Sequence, residues 1–263
     1  MSEVDRKKPF VYYGSVLKKF SFAGAFLACL FFLTLVLSIV GCQKKQSSSK
    51  KLYNPQYSAE EFDRIARTVF KNIYPYLALQ IKEEFLITEG SCLDVGSGPG
   101  HLAIELAKIT NLHIYALDID PEAVRLAQKN VEEARLADRL KAVQGDVERM
   151  PFSDNSMDLV VSRGSYLFWK DKVKAFQEIN RILKPGGTAF IGGGMGNLIP
   201  PAERAVIRER MDKEKIGPPK ELEVSFEEMG VILRKAGIPN FKVTTDAGCL
   251  CGLWVEFKKR KGS

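Results

Sequence analysis

A chain of 263 residues with 45% hydrophobic content can bury a sizeable core, and one α/β domain is the content that length predicts. Its formal charge of +7 is dispersed, with 34 basic and 30 acidic residues after position 42, and most of the excess sits in Lys44, Lys45, Lys50 and Lys51 and in Lys258, Lys259, Arg260 and Lys261. Charge spread this way argues weakly for a nucleic-acid surface; the two basic tails read either as solvated ends or as contacts to anionic lipid.

In chain order, the first feature is an uncharged run over residues 21–40, SFAGAFLACLFFLTLVLSIV. As a helix it would rise about 30 Å, the thickness of a bilayer core. It ends in Ile39-Val40-Gly41-Cys42 before the polar QKKQSSSKK of 43–51. An apolar run closing on a small residue and a cysteine resembles the bacterial lipoprotein signal, which implies lipidation of Cys42 and loss of residues 1–41. The length of the run favours instead an uncleaved signal anchor. Both readings make 1–42 a signal or anchor segment and the protein membrane-associated. Five basic residues before the run and four soon after it leave the face of the membrane undecided. Residues 43–57 follow as a linker with little to bury.

The folded domain is expected over 58–263. Ser58-x-x-Glu61 is a capping box, followed by Phe62, Ile65, Ala66, Val69, Phe70 and Ile73 at helical spacing. Pro75 should break or kink this pattern, with a second helical stretch to about Phe85. From Gly90 onward strand-like runs at 91–95, 112–118, 140–144, 157–162, 187–192, 240–246 and 250–257 alternate with helical patterns. Asp120-Pro121, Asp171 and Ser225-x-x-Glu228 mark helix starts; Pro185-Gly186-Gly187 and Gly237 mark stops. The pattern predicts a doubly wound, mostly parallel, seven-stranded Rossmann-like sheet with helices on both faces and ligands at the carboxyl ends of its strands.

The stretch LDVGSGPGHLAIELAK, 93–108, sets Gly96, Gly98 and Gly100 between a strand and a helix. Glycines there allow a sharp turn and let a ligand lie against bare backbone, where the first amides of the helix also point. The spacing is G-x-G-x-G rather than the dinucleotide G-x-G-x-x-G, and no P-loop lysine follows. Around it stand Asp94, the Leu117-Asp118-Ile119-Asp120 end of the second strand, Gly145-Asp146-Val147, Pro151-Phe152-Ser153-Asp154 and Lys184-Pro185-Gly186-Gly187. In this order the motifs resemble the class I S-adenosylmethionine-dependent methyltransferases over roughly residues 60–260. The resemblance implies S-adenosylmethionine as cofactor. It places Gly96, Ser97, Gly98 and Gly100 along the methionine and ribose, Asp94 near the amino end, and Asp118 on the ribose hydroxyls, whose paired geometry suits a two-oxygen acceptor. Asp146 and the Val147 amide would meet the adenine edge, Ile119 and Val147 its faces, and Ser162 would stand where methyl and acceptor meet. Asp120 is the better helix cap, and Asp146 could instead close a turn after Gly145.

Methyl transfer from a sulfonium is an in-line displacement, in which a protein contributes alignment and desolvation; no catalytic base is named. The acceptor wall is expected in 162–171, SRGSYLFWKD, and in the 192–197 loop, with Arg163 facing an anionic acceptor and Tyr166 and Trp169 an apolar or planar one. Their alternative is packing beneath the loop. Neither His101 nor His113 shows a partner, and no metal-ligand spacing is present. Cys249 and Cys251 fall on one strand face, better read as small hydrophobes than as a redox pair. The expectation is a membrane-attached methyltransferase for a small-molecule acceptor, with no nucleic-acid partner. The alternative is a non-catalytic ligand-binding lipoprotein of the same fold.

Overall fold

The computed structural model describes residues 57–246 and 252–261, and the backbone of 11–14. The apolar run 21–40, the Cys42 motif, nearly all of the 43–57 linker and the Cys249/Cys251 pair lie outside the described residues. Among the described residues no helix is long and apolar enough to cross a membrane.

In chain order the elements are β1 (Val11–Gly14), α1 (Ala59–Thr68), α2 (Ile73–Phe85), β2 (Glu89–Val95), α3 (His101–Ile109), β3 (Asn111–Asp118), α4 (Pro121–Glu133), β4 (Leu140–Gln144), β5 (Met157–Arg163), α5 (Lys172–Ile182), β6 (Leu183–Gly192), α6 (Pro201–Glu214), α7 (Phe226–Lys235), β7 (Phe241–Thr245) and β8 (Leu253–Lys258). They form one sheet of order β1-β7-β8-β6-β5-β2-β3-β4. Strands β4, β3, β2, β5 and β6 run parallel, whereas β8 lies antiparallel between β6 and β7. Strands β2 to β8 are the expected seven. The eighth, β1, pairs antiparallel with β7 from Val11↔Thr244 to Gly14↔Phe241. Four residues carry too little periodicity to announce an edge strand; the free N–H and C=O groups of β7 select them.

Side chains alternate across the sheet and divide the core in two. On β5, Leu159 and Val161 join a cluster with α2 and α3 residues such as Leu77 and Leu106, while Met157 and Val160 join Phe176 of α5 and Leu233 of α7. Helices therefore cover both faces, as a parallel sheet requires.

Local chemistry fixes the boundaries. Both capping boxes form: Ser58 Oγ accepts from the Glu61 N–H and Ser225 Oγ from the Glu228 N–H, and each glutamate accepts from the serine N–H in return. Pro75 does not break a helix. It lies in the first turn of α2, where a missing N–H leaves no helical bond unmade. The pattern running on from Phe62 is thus split, with α1 ending at Thr68 and Ile73 opening α2. Lys184-Pro185-Gly186-Gly187 follows the end of α5 at Ile182, as its reading as a helix stop expects. It lies within β6 as an irregularity, the pairing passing from Met157↔Leu183 to Leu159↔Thr188.

The loop after β6 is held by one buried carboxylate. Asp246, 1% exposed, accepts from the Met195 N–H at 2.7 Å, the Gly196 N–H at 3.1 Å, the Trp254 indole N–H at 2.7 Å and Arg204 of α6 at 3.1 Å. Burial works to raise its pKa, and these four donors oppose that rise. Asp246→Ala would leave the Arg204 charge without its carboxylate and three N–H groups without this acceptor. Loss of about 3–5 kcal/mol of stability is expected in urea denaturation, with Asn at this position losing less.

Candidate active site

Strand order reverses between β2 and β5, so the connections leaving their carboxyl ends diverge and open a crevice. The glycine turn lies there. Gly96, Gly98 and Gly100 all have positive φ, at +62°, +54° and +83°. Gly96 has a second reason to lack a side chain, because a Cβ there would collide with Ser165. Gly98 is the bare position. Its N–H donates to Asp118 Oδ2 at 2.7 Å, while Asp118 Oδ1 accepts from the Asp120 N–H at 3.0 Å. The Ser97 N–H donates to Leu117 O at 2.9 Å, so the turn is stitched to the end of β3.

Each Asp118 oxygen keeps acceptor capacity beyond its backbone bond. Burial raises the Asp118 pKa, and the N–H donors of Asp120 and Gly98 counter it. Asp120 does what a cap does, accepting from the Glu122 N–H at 3.0 Å. Beyond them Ile119 is 65% exposed, an apolar side chain standing in solvent beside a carboxylate. Asp146 is exposed and turns the chain by accepting from the Glu148 N–H at 2.8 Å; Val147 beside it is half-buried.

Asp94 is the unusual group. It is 2% exposed, and its Oδ2 meets no donor among the described residues. Burial pushes its carboxyl up to about 8, against a bond from the Ala103 N–H and with help from the charge of Asp118. An orphaned buried oxygen is rare and calls for a partner. A cationic or N–H-bearing ligand at this place, with bare backbone at Gly98 and a two-oxygen acceptor at Asp118, fits the polar groups of an adenosyl amino acid. The fit rests on Asp94, Gly98 and Asp118 and not on Gly96.

At the end of β5, Ser162 is fully buried. Its hydroxyl lies 2.6 Å from that of Ser165, which donates to Val95 O at 2.9 Å and accepts from the Trp169 indole N–H at 3.1 Å. Ser162 thus helps to lock the β5 loop onto the end of β2. Trp169 and Tyr166 are 7% and 4% exposed, and both belong to the core cluster under the loop. Trp169 meets Phe176 edge to face, and Phe168 is the exposed aromatic of the three. Arg163 turns the other way. Its Nε donates to Gly194 O at 3.0 Å, and its Cζ lies 4.6 Å from the centre of the Phe70 ring and 5.3 Å from that of Tyr74.

Helix α1 covers the glycine turn, with the Phe62 ring 3.5 Å from where a Cβ on Gly98 would stand. It is tied down by Asp63, which takes His101 Nε2 at 2.7 Å, Asn130 Nδ2 at 2.9 Å and Arg67 Nε at 2.8 Å. Burial alone would raise the Asp63 pKa, but these donors hold it below its ordinary value. His101 has its pKa lowered, chiefly by burial, and stacks on Tyr74 at 5.4 Å. Sequence reasoning missed this pairing because 38 residues separate Asp63 from His101. Only the capping box at Ser58 hinted that a helix would reach the site.

Comparison with known proteins agrees with the geometry. Residues 93–191 match a family model described as a methyltransferase domain. The chain is 39% identical to a putative S-adenosyl-L-methionine-dependent methyltransferase of Methanococcus maripaludis of known structure, over 78% of this chain and 93% of that one, with a TM-score of 0.69. Among curated proteins it is 42% identical over 95 residues to a sterol 24-C-methyltransferase of Gibberella zeae and 33% identical over 103 residues to a demethylmenaquinone methyltransferase of Chlorobaculum tepidum. These matches cover 36% and 39% of this chain, and the chain spans 25% and 40% of those relatives' lengths. With its sheet order, its glycine turn and a solved relative matched almost throughout, the chain belongs to the S-adenosyl-L-methionine-dependent methyltransferases.

Proposed function

We propose that the protein transfers a methyl group from S-adenosyl-L-methionine to a small, apolar acceptor. The observation that carries this reading is the convergence of the Gly98 N–H and the Asp118 carboxylate beside the orphaned oxygen of Asp94. When bound, the cofactor supplies a methyl group activated on a sulfonium. The chain's own part is to bind, orient and keep water out. Gly98 and Asp118 would hold the ribose side, Asp94 the amino end, and Ile119 and Val147 the adenine faces, with Asp146 at its edge. Phe62, brought over the crevice by α1, supplies apolar surface for the acceptor and excludes water from it. Support for an apolar acceptor also comes from the curated relatives, which are named for a sterol and for demethylmenaquinone. Tyr166 and Trp169 enter this proposal as the floor that sets the shape of the β5 loop. Attachment to a membrane through residues 21–40 or Cys42 is part of the same proposal, since it would concentrate lipophilic acceptors near the site.

Three outcomes are expected. Calorimetry should show S-adenosylhomocysteine binding to the full chain, and Asp118→Ala should weaken it about ten- to hundredfold, the effect of losing charge-assisted hydrogen bonds; unchanged affinity would remove the ribose role. On fractionation, the full chain should sediment with membranes and a chain of residues 52–263 should stay in solution.

The third concerns pH. Asp94 keeps its proton up to about pH 8 in the folded protein, whereas an unfolded aspartate loses it near about 3.9. Between those values the native state binds more protons, so stability falls as pH rises from about 4 to about 8. Melting of the ligand-free protein from pH 5 to 8.5 should show a smaller decline for Asp94→Asn than for the parent. The affinity of S-adenosylhomocysteine, whose ammonium favours the ionised carboxylate, should rise over the same interval in the parent alone.

A further inference from the structure

The rim of the sheet opposite the crevice gathers charge that the crevice does not use. Strand β8 runs against its neighbours and ends at Lys258, at the edge where β6 opens with Leu183 and Lys184 and β7 with Phe241. The basic run that follows β8 is fixed to this rim. The Lys259 N–H donates to Gly187 O at 3.0 Å, the Gly186 N–H to Lys259 O at 2.9 Å, and Lys259 Nζ to Asn155 Oδ1 at 2.8 Å. Lys261 lies across Gly186, its Cε 3.3 Å from where a Cβ there would stand. Helix α7 delivers two more cations to the same place. Its last turn carries Arg234 and Lys235, and the Arg234 Cζ lies 5.9 Å from the centre of the Phe241 ring.

Carboxylates near this rim are already answered. Asp158 pairs with Lys184 at 2.7 Å, Asp154 with Arg181 at 2.7 Å and Glu256 with Lys242 at 3.5 Å. Lys235, Lys258 and Lys261 are exposed and form no ion pair among the described residues. Like charges set side by side on ordered backbone attract a polyanionic surface, and less freedom is lost on contact than for a loose tail. Chain connectivity selects which surface. Strand β1 ends at Gly14 beside Phe241, on this same rim. The uncharged run 21–40 begins seven residues later, and seven residues reach at most about 25 Å. An apolar run of that length belongs in lipid, so its start is tethered close to the basic rim. Phe241 and Phe257 are buried there and offer nucleic-acid bases no stacking platform.

We propose that this rim is a docking surface for an anionic phospholipid bilayer, with Arg234, Lys235 and the basic run 258–261 against the headgroups. It rests on the membrane attachment proposed above and adds to it a second contact, selective for charge and made by the folded domain. The crevice, at the opposite ends of the strands, stays open to water when this rim is covered, so cofactor binding is independent of docking.

The test offers the full chain a mixture of phosphatidylcholine vesicles and vesicles of phosphatidylcholine with about one-third phosphatidylserine. Distribution between the two reads charge, because the apolar run meets lipid in both. The parent should favour the phosphatidylserine vesicles, less so as salt is raised. Lys235→Gln, Lys258→Gln and Lys261→Gln together should lower that preference about ten- to hundredfold, with melting and S-adenosylhomocysteine affinity unchanged. The same change at Lys71, Lys129 and Lys213, exposed lysines elsewhere, should lower it far less. An unchanged preference in the first variant, or an equal fall in the second, overturns the docking rim while the attachment stands. So does a parent that ignores phosphatidylserine but binds duplex RNA through the same lysines. If the parent associates with neither vesicle, the attachment and the rim both fall, and the cofactor reading is untouched.

Discussion

One hydrogen bond organises the crevice, that from the Gly98 N–H to Asp118. It joins the turn after β2 to the end of β3 at the place where strand order reverses, and it needs a residue at φ +54° whose N–H points out of the turn. Much of what surrounds it is arranged to keep that turn still. Ser165 fills the space that the missing side chain of Gly96 leaves, Ser97 bonds to Leu117, and Asn130 of α4 donates to Pro99 O at 2.9 Å. Asn130 also bonds to Asp63, so the same side chain ties α1 to the turn it covers. A carboxylate held at both oxygens by backbone is oriented before any ligand arrives, and little ordering entropy then remains to be lost on binding.

Burial and polarity pull against one another at Asp94. A core residue at that point of β2, flanked by Leu93 and Val95, would ordinarily be apolar. Its carboxyl instead leaves one oxygen without a partner among the described residues, a loss on the order of 1–3 kcal/mol. Domains of this size have about 5–15 kcal/mol in all, so the fold must supply the difference elsewhere. The fully buried Leu93, Leu106, Ile114 and Phe176, on the two faces of the sheet, are where it does so.

The fold was largely readable because its signals are local. A capping serine three residues before a glutamate, an aspartate before a first-turn proline, and apolar runs of five to eight residues each state their structure within a short window. The Gly98 turn and the Asp118 carboxylate were legible for a related reason: a glycine turn and a carboxylate at a strand end are both short-range marks. What could not be read depends on distance along the chain. Where the Arg163 side chain turns depends on Phe70, Tyr74 and Gly194, none of them near it in sequence. The Asp63–His101 latch and the Asp246 hub join residues tens of positions apart, and periodicity carries no trace of either. Pro75 failed as a signal because its effect depends on which turn of a helix it occupies.

The edge strand β1 adds a matter of timing. Val11 precedes its partner Thr244 by 233 residues, so this edge of the sheet closes only after the intervening chain has been made. Until then β1 has no strand to pair with, and β7, once made, has an open edge to close. Of the described strands, the earliest in the chain waits for one of the latest.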